Sequence, residues 1–245
     1  AETGHIQGMF SLMNLPYFGS NHETHSNCFN KITTKLWLEK LEIPVTPYVF
    51  LTDLEQYSKA EEFYTIYSQN GVFVKASSQG SSVGCYPVSN INDLKEACRK
   101  AFQFSESIII EEKVKTRELE VSAFVFQNEI KISLPGEIIT SDRFYSYEEK
   151  YSQESKTTTE TIAKNLSPQI IEKIQDYAFK AFKFLKIKDL SRIDFFLTSD
   201  GRLFLNEINT LPGMTPISMF PKMLEATGIS FEKYLIDRLD QNFTK

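Results

Sequence analysis

The stretch that most narrows what this chain can fold into runs from Arg192 to Asn209. Arg192-Ile193-Asp194-Phe195-Phe196-Leu197-Thr198 and Arg202 to Asn209 read as strands, with Ser199-Asp200-Gly201 between them. Asp-Gly flanked by alternating apolar residues is the strongest short-range hairpin signal. With Asp200 and Gly201 as a two-residue turn, Ser199 faces Arg202. Counting outward sets Asp194 opposite Glu207 and Arg192 opposite Asn209, and period-2 alternation puts all four on one sheet face. Directly opposed residues have Cβ atoms about 4.5–5.5 Å apart, where like charges repel. Two things offset that repulsion: Arg192 neutralising Asp194 on a solvated face, or a hard divalent cation. Asp, Glu and Asn are the oxygen donors such a cation takes, and Mg²⁺ commonly uses one or two carboxylates plus substrate phosphates. A slip of one residue in the turn would break the pairing.

The rest of the chain frames this hairpin. Residues 6–14 read as a helix, and Asn30 to Leu41 as another, with Ile32, Lys35, Leu36 and Leu38 to Leu41 on a helical stripe. Pro44 and Pro47 impose an extended link. A small mixed unit follows: strand 48–51, helix near 53–68, strand 72–75, a Gly/Ser loop, strand 84–88, helix 92–104 and strand 107–111. Residues 118–126 and 130–134 alternate around Gln127-Asn128-Glu129, a second hairpin. Residues 140–165 are polar and read as a long loop, a kind that is usually functional. Ser167-Pro168 caps an amphipathic helix through Leu185, and helices over 218–228 and 231–242 end the chain. The class is α+β, with largely antiparallel strands and helices packed on them.

Gly71 to Gly84 is strand, loop, strand, and Lys75 sits at the first strand's end. Gly80 and Gly84 permit close backbone approach, and successive N–H groups there could cradle phosphate. It is not a Walker loop, because the lysine precedes the glycines and no helix follows directly. A plain hairpin turn is the competing reading. Lys31, at a helix start, is alone an ordinary surface lysine.

Net charge is −5, which argues against a general nucleic-acid or membrane-surface binder, and no apolar run is long enough to span a bilayer. No signal-peptide pattern opens the chain. Cys28, Cys85 and Cys98 lack metal-ligand spacing and fit structural thiols in a reducing, cytoplasmic setting.

Several segments together resemble the D-alanine–D-alanine ligase family of the ATP-grasp fold. Gln79-Gly80-Ser81-Ser82-Val83-Gly84 is similar to its phosphate loop, and Arg117-Glu118-Leu119-Glu120-Val121 to its hinge strand. Phe144-Tyr145-Ser146-Tyr147-Glu148-Glu149-Lys150-Tyr151 resembles its omega loop. Asn206-Glu207-Ile208-Asn209-Thr210-Leu211-Pro212-Gly213-Met214-Thr215, continuing to Ser218-Met219, is a highly specific signature. Ala76 departs from the Pro usual after the lysine, and Ala1-Glu2-Thr3-Gly4 matches only in part.

The resemblance implies two α+β subdomains with antiparallel sheets clamping ATP. Their bounds are expected at 31–117 for the lid and 118–245 for the metal and substrate half, after a 1–30 link. It implies phosphorylation of one D-alanine by ATP, attack by the amine of a second, and a role in peptidoglycan precursor synthesis. Related readings are a D-lactate or D-serine ligase, or a nucleotide-binding fragment without turnover. The implied cofactors are ATP and two Mg²⁺ (or Mn²⁺) ions on Asp194, Glu207 and Asn209, and the implied assembly is a homodimer. For the nucleotide, the resemblance assigns Lys31, Lys75, Ser82, Glu111, Glu112, Val114, Glu118, Phe144, Lys150 and Asn206. Ser81 and Tyr151 match a hydrogen-bonded triad, and Tyr151 favours an amine acceptor over D-lactate. Arg192 and the Gly213 N–H match the groups that stabilise the acyl phosphate and oxyanion. Ser218 and Met219 match the site for the second D-alanine. The family's preceding α/β domain, with the third triad member, is not among these 245 residues, so nucleotide binding is expected to survive better than ligation.

Overall fold

A computed structural model describes residues 2–139 and 158–243. The first three helices are α1 (His5–Leu12), α2 (His22–Phe29) and α3 (Lys31–Lys40). Asn30 separates α2 from α3 and caps α3 by accepting from Thr33 N–H at 3.0 Å, as short polar side chains do at helix starts. The α2 helix escapes the apolar pattern because its sequence, HETHSNCF, is mostly polar.

A four-stranded antiparallel sheet follows, in the order β1 (Tyr48–Leu51), β4 (Ile108–Glu112), β2 (Val72–Ala76), β3 (Cys85–Val88). Helices α4 (Tyr57–Tyr67) and α5 (Ile91–Phe102) close one core against it, built from Leu51, Phe63, Val72, Val74, Leu94, Ile108 and Ile110. β2 and β3 pair directly, so the Gly/Ser loop is the turn of a hairpin.

The second sheet is six-stranded: β10 (Leu203–Asn209), β9 (Leu190–Thr198), β5 (Thr116–Phe126), β7 (Gly136–Ile139) and β8 (Thr158–Glu160), with β6 (Glu129–Ile132) on the far end of β5. Strand β8 lies within the 140–165 stretch expected to be loop. Its Thr-Thr-Glu sequence carries no apolar alternation, and pairing with β7 makes it a strand. Helix α6 (Pro168–Phe184) covers one face, packing Ile174, Ala178 and Phe182 with Leu119, Val121, Ile193, Phe195, Leu205 and Ile208. Helices α7 (Met219–Glu225) and α8 (Phe231–Phe243) pack Phe220, Leu224 and Tyr234 on Phe124 and Leu190. Buried Asp189, just before β9, accepts from the Gly19 N–H, Arg238 and Asn242, tying distant segments to that strand's root.

The carboxylate hairpin differs from expectation at its tip. The turn holds three residues, Ser199-Asp200-Gly201, with Gly201 at φ +84° and its N–H donating to the Thr198 carbonyl. Leu197 therefore faces Leu203, and Leu205 faces Phe195, one step off the two-residue count. A bulge at Asn206 restores the step, so Glu207 still faces Asp194 and Asn209 still faces Arg192. The Leu205 N–H donates to the Pro44 carbonyl at 2.9 Å, bracing the edge strand beside the bulge.

Candidate active site

The second sheet's register builds a polar strip across three strands. Glu120 on β5 lies opposite Asp194 on β9, and Asp194 lies opposite Glu207 on β10. Ser122, Arg192 and Asn209 form the next row. The intervening residues Leu119, Val121, Ile193 and Ile208 point into the core, as pleat alternation requires.

Arg192 grips Asp194 with two bonds, Nε to Oδ1 at 2.8 Å and Nη2 to Oδ2 at 2.7 Å. Asn209 Nδ2 adds a bond to Oδ2 at 3.0 Å, and Arg192 Nε also lies 3.3 Å from Glu120 Oε1. Burial pushes the Asp194 carboxyl up; Arg192 opposes this, and hydrogen-bond contact with Glu207 reinforces it. Burial, then the Asp194 charge, pushes Glu120 up as well. Partial burial works against the Arg192 charge, but Asp194 and Glu120 hold its proton more firmly still.

This donor chemistry fits a hard cation. Two half-buried carboxyls in hydrogen-bond contact carry more negative charge than one arginine offsets when both are ionised, and an oxygen-seeking ion would bridge them. Among the described residues, no group of three or more His, Cys, Asp and Glu side chains is arranged to hold a metal by itself. Two carboxylates and an amide leave coordination positions for phosphate oxygens and water, which is how Mg²⁺ is usually held.

The first sheet contributes the opposite charge. Glu111 on β4, 3% exposed, lies between two ammonium groups. Lys35 Nζ is 3.0 Å from Oε1, and Lys75 Nζ hydrogen-bonds Oε2. Lys35 also donates to Thr46 Oγ1 at 2.7 Å. Burial alone would raise Glu111, but Lys35 and Lys75 outweigh it and hold the carboxyl at about 2. Burial would lower Lys75, but Glu111 more than compensates. Lys35, on the core side of α3, has a lowered pKa because burial dominates.

The two halves meet at a cavity of about 330 Å³, lined by Glu2, Lys31, Ser81, Arg192, Asn206, Glu207, Asn209 and Gly213 among others. Lys31 donates to the Gln79 carbonyl. Burial lowers its pKa, and the Glu207 charge works against that. Ser81 and Ser82 both hold left-handed backbone, φ 53° and 63°. Gly213 lies so close to Ser218 that a Cβ there would meet Ser218 Oγ at 2.7 Å.

Lys75, Ser82, Glu111 and Asp194 lie outside this cavity's lining, and so do other expected residues. Glu112 on β4 accepts from Asn70 Nδ2 at 3.0 Å, Val114 is half-buried between β4 and β5, and Glu118 is exposed on β5. Ser218, bonded to Thr215, precedes α7. Met219, expected beside the second substrate, opens the apolar face of α7 and is buried against Gly136 of β7. Phe144, Lys150 and Tyr151 lie outside the described residues.

Sequence reading missed Lys35, Glu120 and His25. Lys35 stood on an apolar helical stripe, which was the available signal. Glu120 shares the parity of Glu118 on an alternating strand. His25 is fully buried with Nδ1 2.6 Å from Thr210 Oγ1, next to Asn209, and carried no signal.

Two antiparallel sheets with helices, one carrying the Lys75–Glu111 pair beside Lys35 of α3 and the other paired carboxylates, form the ATP-grasp arrangement of nucleotide-dependent ligases. Residues 37–240 match the family described as D-ala D-ala ligase C-terminus. A D-alanine–D-alanine ligase from Shewanella denitrificans is 50% identical over 98% of the chain and 72% of its own length. The solved D-alanyl-alanine synthetase A from Vibrio cholerae superposes with TM-score 0.93 and 48% identity, over 100% of this chain and 74% of that one. VanG, a D-Ala:D-Ser ligase from Enterococcus faecalis, superposes with TM-score 0.86 and 27% identity, over 97% of this chain and 68% of its own. The chain belongs to the D-alanine–D-alanine ligase family.

Proposed function

We propose that the protein joins two D-alanines at the expense of ATP, supplying a dipeptide for peptidoglycan precursor synthesis in the cytoplasm. The observation that carries this is the pairing of Asp194 with Glu207 on one sheet, at a cleft that Glu207, Arg192, Lys31 and Ser81 line, in a chain half-identical to relatives of that activity. A carboxylate oxygen of the first D-alanine attacks the γ-phosphorus and ADP leaves. The amine of the second then attacks the acyl carbon, loses a proton, and phosphate departs.

Catalysis of this kind is mostly positioning and electrostatic stabilisation. Lys31 and Lys75 would bind the α- and β-phosphates, with Ser81 and Ser82 folding over them. Glu111, Glu112, Val114 and Glu118 lie along β4, β5 and their link, where they would frame adenine and ribose. A pair of Mg²⁺ or Mn²⁺ ions, held by Asp194, Glu207 and Asn209, would supply positive charge against the phosphates. Arg192 would stabilise the acyl phosphate and then the oxyanion, assisted by the Gly213 N–H. Ser218 would receive the second D-alanine's carboxylate.

The test is phosphate release with ATP, Mg²⁺ and D-alanine as sole amino acid, and dipeptide identified by mass. The likeness to VanG gives a second reading, a D-serine acceptor. Competition of D-serine with D-alanine separates them: mixed dipeptide in excess would overturn the first. A sedimentation run would test the homodimer that the family implies.

A further inference from the structure

Glu120 is 7% exposed, and its Oε2 is buried without a hydrogen-bond partner. Leaving a buried carboxylate oxygen unmet costs stability, so its presence in mid-sheet needs a reason. We infer that Glu120 is a positioning residue for the proposed ligation, a receiving carboxylate that takes the Arg192 guanidinium when Asp194 is given over to a cation.

The geometry sets up a competition. Both Asp194 oxygens accept from Arg192, and Oδ2 accepts from Asn209 as well. A carboxylate has about four lone-pair sites and three are taken here, so a cation drawing on more than one of them must displace some of these bonds. The guanidinium is permanently charged and three-quarters shielded from water, so another anion within a short movement favours it. Glu120 provides one. It lies opposite Asp194 on the neighbouring strand, and its Oε1 is already 3.3 Å from the Nε that now serves Asp194. The unmet Oε2 supplies the second acceptor that a forked guanidinium prefers. Glu120 thus keeps Arg192 aimed at the cleft in the loaded state.

A purely structural carboxylate would matter equally with and without ligand. The test follows the Arg192 side-chain Nε–H by NMR in the full chain and in Glu120→Gln, with and without Mg²⁺ and a non-hydrolysable ATP analogue. Expected in Glu120→Gln is Nε–H exchange about tenfold faster in the loaded state only, because Gln offers no charge and a single acceptor. Expected too is kcat down about tenfold, with the ATP KM within about twofold and a ligand-free melting temperature no lower than wild type, because Gln removes a destabilising buried charge. Glu120→Asp should recover part of both effects. Equal exchange in loaded wild type and variant, or acceleration already present without ligand, would overturn the inference. If wild type releases no phosphate with D-alanine, the proposed function fails, while the exchange measurement still decides the role of Glu120.

Discussion

The two sheets solve the problem of buried charge in opposite ways. In the four-stranded sheet, one carboxylate, Glu111, serves two ammonium groups, Lys35 and Lys75. In the six-stranded sheet, one guanidinium, Arg192, serves Asp194 and Glu120, with Glu207 in contact beyond. The first cluster is saturated: Glu111 is held well down in pKa and both its oxygens are engaged. The second is over-charged with anions, and its carboxyls are pushed up. A phosphate chain suits the first and a divalent cation the second. A metal-bound nucleotide lying between them would complement both.

The strongest way to break this comparison is on the anionic side. Glu207→Gln removes one of two opposed carboxylates and should lower kcat on the order of 10³-fold while leaving the fold intact. Phosphate release and far-UV circular dichroism check this; near-normal turnover would remove Glu207 from the metal set. On the cationic side, Glu111→Gln leaves Lys35, 1% exposed, without its carboxylate. Urea denaturation should show a loss of about 3–5 kcal/mol.

Acid sharpens the contrast at intermediate magnitude. Glu111 sits at about 2 in the folded protein against an ordinary 4.5. Its ionic contribution is therefore complete above pH 4.5 and disappears as the pH falls toward 2. The raised Asp194 and Glu120 act in the other sense: ionised, they subtract from stability, and the penalty lifts as the pH falls through their raised values. Melting temperature against pH should hold or rise from 8 down to about 5, then drop below about 4.5, with the acid drop shallower in Glu111→Gln. The smallest effect belongs at the hairpin tip. Gly201→Ala forces a side chain into left-handed backbone with open space around it, and should cost about 1 kcal/mol of stability with kcat unchanged.

How much of this was written in the sequence differs between the halves. Alternation along 192–209 carried the opposed pairs, although the two-residue turn and unbroken pleat used to count them were both wrong. The errors cancelled because an added turn residue and an added bulge residue shift the register in opposite senses. Leu205 and Ile208, both buried yet three apart, were the sign of a bulge that period-2 counting passes over. The Lys35–Glu111–Lys75 cluster joins α3, β4 and β2, and local periodicity says nothing about which of many lysines and glutamates meet. The phosphate-loop and Asn206-to-Thr215 motifs were recognised by resemblance, and only the structure buried Met219. Strand β8 was invisible because three polar residues become a strand only when β7 is beside them.

The Asn206 bulge has a consequence for how this strand can vary in length. Leu205 already faces Phe195, and Glu207 already faces Asp194, with Asn206 as the surplus residue. Deleting it would join those pairs into a regular ladder and leave every partnership intact. Tolerance of a lost residue, ordinarily a property of loops, is thus built into the strand that carries the most chemistry. What would change there is the local bend and the one side chain that Asn206 lends to the cleft.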